Sequence, residues 1–259
     1  MDYNKLKEIS LFVLDMDGTI YLGDKVLPGA IEFVRTARKM GKKVVFFTNN
    51  ASKNPFDYVE KLNRLGFNAE RSDVVTAGDV TIEFLKRNRP GKSVYLVGTP
   101  ALEKSFRDAG ITLSENADIV VSSFDTTLVY SKLVTACDLI RGGAEYLCTH
   151  PDYNCPTENG FIPDSGAIAA LITASTDKTP KYLGKPYKET ADMISELFGV
   201  QFDRTAIVGD RLYTDIALGK NNGLLSVLVL SGETHIEDVN DSNAPDIILG
   251  GIGEILNYL

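Results

Sequence analysis

Short apolar runs alternate along the chain with longer amphipathic segments. Runs such as LFVL, VVFF, VYLV and VLVL contain no charged residue, which is typical of strands that are covered on both faces. Between them, segments such as PGAIEFVRTARKMG and NPFDYVEKLNRLG have proline near the start, apolar residues at helical spacing and glycine at the end, which predicts helices. The alternation therefore predicts an α/β fold with mostly parallel sheets.

The alternating elements are too many for one sheet of ordinary size, and a length of 259 residues allows two domains. No repeat of fixed period and no linker rich in Pro, Gly or Ser marks a boundary between them. The pattern predicts two domains without placing the division.

Composition narrows the classes of function. A formal net charge of -8 argues against nucleic acid or an anionic membrane surface as the main partner. No apolar run approaches the roughly 18 residues of a membrane span, and the run before Asp15 is too short for a signal peptide. The three cysteines, Cys137, Cys148 and Cys155, are an odd, low count that predicts a reducing compartment without a disulfide framework. We expect a cytoplasmic protein.

Polar side chains follow the predicted strands directly or lie in a loop before a predicted helix. They are Asp15, Asp17, Thr48, Asn49, Lys185 and Asp210. In doubly wound α/β sheets, ligands bind beyond the carboxyl ends of the strands. These residues are spread over much of the chain, and we expect the fold to bring them into one site.

Asp15 and Asp17 stand two positions apart, with no basic residue nearby in the sequence. Close carboxylates repel each other, so this pair predicts a bound cation. Oxygen ligands suit Mg²⁺, which also contacts substrate phosphate. Asp210 would supply a further carboxylate ligand, and Asp215, one helical turn later, would hold metal-bound water from an outer position.

The remaining residues suit a phosphorylated substrate. Lys185 would neutralise phosphate oxygens, while the Thr48 hydroxyl and the backbone N–H of Asn49 would bind the others. Asp15 would attack phosphorus to form an aspartyl-phosphate. Asp17 would protonate the leaving oxygen and later deprotonate the hydrolytic water.

The stretches DMDGT, FFTNN, GKP and GDRLYTDI resemble, in order and spacing, the four signatures of the haloacid dehalogenase (HAD) superfamily. From about residue 9 to the C-terminus the chain is most similar to subfamily IIA, the NagD-like and p-nitrophenylphosphatase group. The resemblance implies a Rossmann-like core of residues 1–78 and 181–259. It also implies an inserted α/β cap domain of the C2 type at residues 79–180, which would determine substrate specificity.

The resemblance implies the same roles for the site residues. Asp15 would be the nucleophile and a metal ligand, Asp17 the general acid and base and a ligand through its backbone carbonyl, and Asp210 a metal ligand. An acid at position 17 favours phosphate-ester hydrolysis, because dehalogenase members lack one there and ion-pumping ATPases have lysine. Thr48 and Lys185 would bind the phosphate.

The stretch CTHPDYNC admits two interpretations. Cys148, His150, Asp152 and Cys155 could be drawn as a zinc site, but their spacing matches none of the usual structural patterns. We favour a cap strand that ends in a loop, where His150 and Asp152 contact the leaving group. His150 as an ordinary loop residue is the alternative, and relatives commonly have Asn at this position.

These observations predict a Mg²⁺-dependent phosphatase that hydrolyses small phosphate monoesters, such as sugar phosphates, nucleotides or p-nitrophenyl phosphate, through an aspartyl-phosphate. Phosphotransfer between small metabolites and a sensor that binds without turnover are the alternatives. The expected partner is a small phosphorylated metabolite. Relatives dimerise through the cap, and no decisive apolar stripe argues for or against a homodimer here.

Overall fold

The computed structural model describes residues 1–157 and 160–259. The strands are β1 (Leu11–Leu14), β2 (Tyr21–Leu22), β3 (Lys25–Val26), β4 (Lys43–Thr48), β5 (Val74–Thr76), β6 (Val94–Val97), β7 (Ile119–Ser122), β8 (Glu145–Cys148), β9 (Asn154–Thr157), β10 (Gly160–Pro163), β11 (Lys181–Tyr182), β12 (Thr205–Gly209), β13 (Leu225–Val229) and β14 (Ile247–Leu249). The α-helices are α1 (Lys5–Glu8), α2 (Ala30–Lys39), α3 (Pro55–Arg64), α4 (Ala77–Asn88), α5 (Pro100–Asp108), α6 (Tyr130–Arg141), α7 (Ser165–Thr176), α8 (Lys188–Phe198) and α9 (Ala217–Asn222). Among these described helices, none combines the length and the apolar character that crossing a membrane requires.

The chain divides into two compact units. Unit 1 contains Met1–Thr48, Tyr58–Val75 and Lys185–Leu259, and unit 2 contains Asn49–Asp57 and Thr76–Gly184. Each unit is made from discontinuous segments. The core and cap that the resemblance implies, with boundaries near residues 78 and 180, stay a prediction.

A six-stranded sheet with the order β14-β13-β12-β1-β4-β5 forms the centre of unit 1. The pairs β1–β12, β1–β4, β12–β13 and β13–β14 are parallel. Val13 in β1 lies opposite Ile207 on one side and Val45 on the other. Every residue of β1 is buried, as expected for a central strand covered on both faces. The predicted α/β fold with mostly parallel strands is confirmed.

Aromatic side chains fix helix α2 to this sheet. Phe33 of α2 packs edge-to-face against Phe12 of β1, with ring centroids 5.1 Å apart. Phe46 of β4 makes a similar contact with Phe67 at 5.7 Å. Such edge-to-face pairs stabilise a core beyond the area that they bury. They hold β1 and β4 rigidly, which matters because both strands end at the candidate site.

Unit 2 has its own parallel sheet of four strands in the order β11-β8-β7-β6. Helices α6 and α7 supply apolar side chains to its core, including Leu133, Ile140 and Ile172, which pack with Val97 and Val120 of the sheet. An antiparallel hairpin, β9–β10, lies between β8 and α7 in the sequence. The sequence pattern did not predict this hairpin.

Candidate active site

Three neighbouring strands of unit 1 end in the predicted polar residues. Asp15 directly follows β1, Thr48 is the last residue of β4, and Asp210 directly follows β12. Because β12, β1 and β4 are adjacent and parallel, their carboxyl ends lie at one edge of the sheet. Ligands of doubly wound sheets bind at this edge.

Lys185 joins this edge to a later part of the chain. Its side chain is only 2% exposed, and its Nζ lies 2.5 Å from Asp15 Oδ1 and 2.6 Å from Asp215 Oδ1. The same ammonium lies 3.5 Å from the carbonyl oxygen of Phe47 and 4.9 Å from the centroid of its ring. A buried lysine therefore bridges two carboxylates that are 200 residues apart in the sequence.

Backbone and hydroxyl donors hold the Asp210 carboxylate. The N–H of Glu233 donates to Oδ2 at 2.7 Å, and the Thr19 hydroxyl lies 3.5 Å from Oδ1. Ser231 donates to the carbonyl of Gly18 at 2.7 Å and so joins the loop after β13 to the loop after β1. Gly18 has φ +84°, and a Cβ there would overlap Asp210 Oδ2. The DMDGT turn requires glycine for both reasons.

Asp215 is placed by a wide turn. Residues Leu212–Ile216 form a π-helical turn in which the N–H of Ile216 donates to the carbonyl of Arg211 at 3.1 Å. The Asp215 Oδ2 accepts from the Arg211 N–H at 3.2 Å, and its side chain lies where a Cβ on Gly209 would be. Such turns are frequent at functional sites. With one oxygen on Lys185 and the other on backbone, Asp215 is held as a support for its neighbours.

The chemistry of the three clustered carboxylates, of which Asp210 and Asp215 are buried and Asp15 is half-buried, fits a divalent cation. Asp15, Asp210 and Asp215 each offer an oxygen atom, and these atoms lie within 4.8 Å of one another. Lys185 contributes one positive charge against their three negative charges, so a divalent cation would make the group neutral. Oxygen ligands of this kind suit Mg²⁺.

The pKa values of these groups reflect the same excess of negative charge. Burial raises the pKa of Asp15 to about 8; Lys185 opposes the rise, and Asp215 and Asp210 add to it. Burial and the nearby Asp215 raise the pKa of Asp210 to about 6. Burial alone would lower the pKa of Lys185, but the attraction of Asp15 and Asp215 raises it above its ordinary value. A bound cation would restore the ionised carboxylates.

The structure places Asp17 and Thr48 differently from the buried cluster. Asp17 is exposed, and its backbone forms a bridge with Tyr21 at the start of β2. Thr48 is half-buried at the end of β4. The general acid and base role of Asp17 and the phosphate contact of Thr48 stay predictions.

The predicted cap residues lie inside unit 2. His150 is fully buried, and Asp152 is 2% exposed. Asp152 Oδ2 lies 2.9 Å from Asn49 Nδ2 and 3.1 Å from His150 Nδ1, and His150 Nε2 lies 3.4 Å from Asp164 Oδ1. The predicted contact of His150 and Asp152 with a leaving group stays a prediction.

Zinc has no structural support at the CTHPDYNC stretch. The Cys148 sulfur is buried within 3.1 Å of the Ser165 hydroxyl, at the end of β8. Burial raises the pKa of this thiol, whereas a zinc ligand must be a thiolate. Across residues 1–157 and 160–259, the group with metal-ligand spacing is the carboxylate cluster of unit 1.

Sequence reasoning missed the residues that hold the carboxylates in place. Glu233 donates its N–H to Asp210, and its side chain pairs with Arg211 at 2.9 Å. Ser231 orients the Gly18 carbonyl. The SGET stretch that contains Ser231 and Glu233 gave no separate signal, because backbone donors have no signature in a single sequence.

Comparisons with known proteins agree on one family. A family model described as haloacid dehalogenase-like hydrolase matches residues 12–112, and a second, described as HAD-hydrolase-like, matches residues 182–255. An acid sugar phosphatase of Staphylococcus aureus is 34% identical over 242 residues, 93% of each chain.

Two solved structures extend the comparison to the fold. A 4-nitrophenylphosphatase from Thermotoga maritima superimposes with a TM-score of 0.94 and 47% identity, covering 98% of each chain. NagD from E. coli K-12 superimposes with a TM-score of 0.89 and 30% identity, over 95% of this chain and 98% of the other.

Proposed function

The chain belongs to the haloacid dehalogenase-like hydrolases, and from that premise we propose that it is a Mg²⁺-dependent phosphatase that cleaves small phosphate monoesters through an aspartyl-phosphate. It is an enzyme of the NagD-like phosphatase group. The observation that carries the finer proposal is the buried cluster of Asp15, Asp210 and Asp215 around Lys185.

Asp15 is the proposed nucleophile. One of its carboxylate oxygens forms a bond to phosphorus while the bond from phosphorus to the ester oxygen breaks. Asp17, exposed two positions later, gives a proton to the departing oxygen. It then takes a proton from water, which attacks the same phosphorus and releases inorganic phosphate and the free Asp15 carboxylate.

Asp15, Asp210 and the backbone carbonyl of Asp17 would hold Mg²⁺, with Asp215 in support. The bound ion would keep the carboxylates ionised and neutralise charge on the phosphate oxygens. Lys185 holds Asp15 and Asp215 in fixed orientations through its two short ion pairs, and its ammonium is the natural partner for a phosphate oxygen. Thr48 supplies a hydroxyl at the same strand edge.

The substrate class follows from the relatives. Two relatives are an acid sugar phosphatase and a 4-nitrophenylphosphatase. We propose sugar phosphates as the class to test first, with an aryl phosphate as a convenient reporter. We also propose that unit 2 is the cap domain, and that it selects the leaving group.

The first experiment measures hydrolysis of p-nitrophenyl phosphate by wild type with Mg²⁺ and with EDTA, and by Asp15→Asn with Mg²⁺. We expect turnover that requires Mg²⁺ and falls by at least about 10⁴-fold in the variant, because the nucleophile is lost. Asp24→Asn is the matched control, since Asp24 is exposed and pairs with the exposed Arg64 at 2.9 Å. It should be as active as wild type.

Three outcomes would contradict the proposal. Equal activity of Asp15→Asn and wild type would exclude the aspartyl-phosphate. Binding of sugar phosphates without any turnover would indicate a sensor. If an added sugar alcohol appears as a new phosphate ester, phosphotransfer replaces hydrolysis as the reaction.

A further inference from the structure

A chain of buried polar side chains crosses unit 2. Asp152 contacts the Asn49 amide at 2.9 Å and His150 Nδ1 at 3.1 Å through the same oxygen, Oδ2. His150 Nε2 lies 3.4 Å from Asp164 Oδ1, and the two groups attract each other as an ion pair when the imidazole is protonated. Asn49, His150, Asp152 and Asp164 are all at most 6% exposed. Burying so many polar groups costs free energy unless they form hydrogen bonds with one another.

The donor and acceptor pattern fixes the Asn49 side chain. The Asn49 amide N–H donates to Asp152 Oδ2, and an ionised Asp152 carboxylate, which only accepts, takes a second hydrogen bond from the Nδ1–H tautomer of His150. Reversal of the Asn49 amide would place two oxygens against each other. Asp152 therefore allows one orientation of Asn49.

Helix α7 anchors the other end of the chain. The N–H of Gly166 donates to the Asp152 carbonyl at 2.7 Å. Asp164 is the N-cap of α7 and accepts from the Ser165 N–H at 2.6 Å. The polar chain thus runs from a helix start to the Asn49 amide, with rigid backbone behind its carboxylates.

The two proposed phosphate-binding residues, Thr48 and Lys185, each directly adjoin a residue of unit 2. Asn49 directly follows Thr48, and Gly184 directly precedes Lys185. The N–H of Gly184 donates to the carbonyl of Thr149 at 2.7 Å, next to His150. The buried side chains are therefore joined to Thr48 by a single peptide bond, and Gly184, held by Thr149, is joined in the same way to Lys185.

We propose that Asn49, Asp152 and His150 are positioning residues that orient the Thr48–Asn49 peptide for the phosphate group, rather than residues that contact the leaving group. The proposal rests on the phosphatase function proposed above. It assigns Asp152 a role through Asn49, and His150 a role through Asp152. It also explains why two residues predicted to select the substrate are buried.

Inorganic phosphate is the direct probe, because it has no leaving group. We would measure its inhibition constant, and kcat/KM for p-nitrophenyl phosphate and for a sugar phosphate, with Asn49→Ala, Asp152→Ala and His150→Ala. Asn49→Ala keeps the backbone N–H and removes the side-chain hydrogen bond to Asp152. We expect each variant to weaken phosphate by about 10- to 100-fold and to lower kcat/KM for both esters by one common factor.

A conservative variant separates positioning from bulk. In His150→Asn the amide nitrogen is bonded to Cγ, as Nδ1 is in histidine, so it would still donate to Asp152. We expect His150→Asn to recover most of the loss seen in His150→Ala. Asp125→Ala is the matched control, since Asp125 is a fully buried carboxylate of unit 2 that pairs with Lys132 at 2.7 Å. It should lower the melting temperature without changing phosphate inhibition.

Two results would overturn the proposal. Unchanged phosphate inhibition, with unequal losses for the two esters, would mean contact with the leaving group. A lower melting temperature with unchanged kinetics would mean a structural role only. If Asp152→Ala does not fold, Asn49→Ala decides, because Asp152 then keeps His150. If wild type binds phosphate but hydrolyses neither ester, the proposed function fails, and calorimetry with phosphate still tests the positioning.

Discussion

Lys185 shows at the scale of one residue how the site tolerates its own charge. It lies between the half-buried Asp15 and the buried Asp215, and both ion pairs are within 2.6 Å. Removing one partner of a buried pair leaves an uncompensated charge, which costs far more than the pair itself contributes. An ion pair of a surface lysine contributes little to stability, so the importance of Lys185 comes from its burial.

We predict that Lys185→Met lowers the free energy of unfolding by about 3–5 kcal/mol and abolishes turnover. The loss should be smaller at pH 5 than at pH 8. Without the ammonium the pKa of Asp15, which burial already raises to about 8, rises further, so at low pH Asp15 is neutral and no longer repels Asp215. Urea unfolding in EDTA at both pH values measures this. Lys188→Met is the control, because Lys188 pairs with Asp192 on the surface of α8. Equal losses for the two variants would contradict the prediction.

Gly18 gives a second prediction at this scale, with Gly23 as its natural control. Both have positive φ, +84° and +58°, but a Cβ at Gly23 meets nothing within 4 Å, whereas one at Gly18 overlaps Asp210. Gly23→Ala should cost about 1–2 kcal/mol from backbone strain alone and keep activity. Gly18→Ala should cost more and weaken Mg²⁺ binding, as measured by titration of activity with Mg²⁺. Similar Mg²⁺ titrations for the two variants would show that Gly18 has no steric role.

At the scale of elements, the sequence predicted the helices and strands that have a periodic or uninterrupted apolar pattern, and it missed the short irregular elements. The periodic helix PGAIEFVRTARKMG is present as α2, and the uninterrupted run LFVL is the central strand β1. The hairpin β9–β10 was missed because it is exposed and has no alternation. The π-helical turn Leu212–Ile216 was read as the start of a helix. A single π-helical turn leaves the helical propensity of its residues unchanged, so the spacing of apolar positions does not reveal it.

This turn carries a prediction of its own. Gly209 ends β12, and a Cβ there would overlap the side chain of Asp215. Gly209→Ala should therefore push Asp215 away from Lys185 and lower kcat by at least about tenfold. Gly251→Ala is the control, because its Cβ would meet nothing within 4 Å. Full activity of Gly209→Ala, measured beside the control, would mean that the turn adapts without moving Asp215.

At the scale of the whole molecule, the number of elements predicted two units but not their limits. Residues Asn49–Asp57 belong to unit 2 although they directly follow a strand of unit 1. They are held by contacts distant in sequence, such as the Thr99 hydroxyl that donates to the Ser52 carbonyl at 2.8 Å. No composition shift accompanies such a crossing, so a single sequence without a linker does not reveal it. The residues of the candidate site were easier to predict, because a carboxylate at the end of an apolar strand is visible in the sequence pattern.

The charge of the site should determine how the whole protein responds to metal. Asp210 has its pKa raised to about 6 by burial and by Asp215, so ionising it in the folded state costs stability as pH rises from about 4 to 6. In EDTA at pH 7.5, Asp210→Asn should therefore melt at a higher temperature than wild type. In Mg²⁺ the order should reverse, because wild type gains about 2.7 kcal/mol at a hundredfold excess over the dissociation constant, and the variant gains less. Asp246→Asn is a comparison at an exposed carboxylate that accepts from the Ser226 hydroxyl at 2.7 Å, and its response to Mg²⁺ should match wild type. Scanning calorimetry of the three proteins gives both orders. If Asp210→Asn is less stable than wild type in EDTA, the repulsion inferred between these carboxylates is not a cost to the fold, and the argument that they require a cation loses its energetic basis.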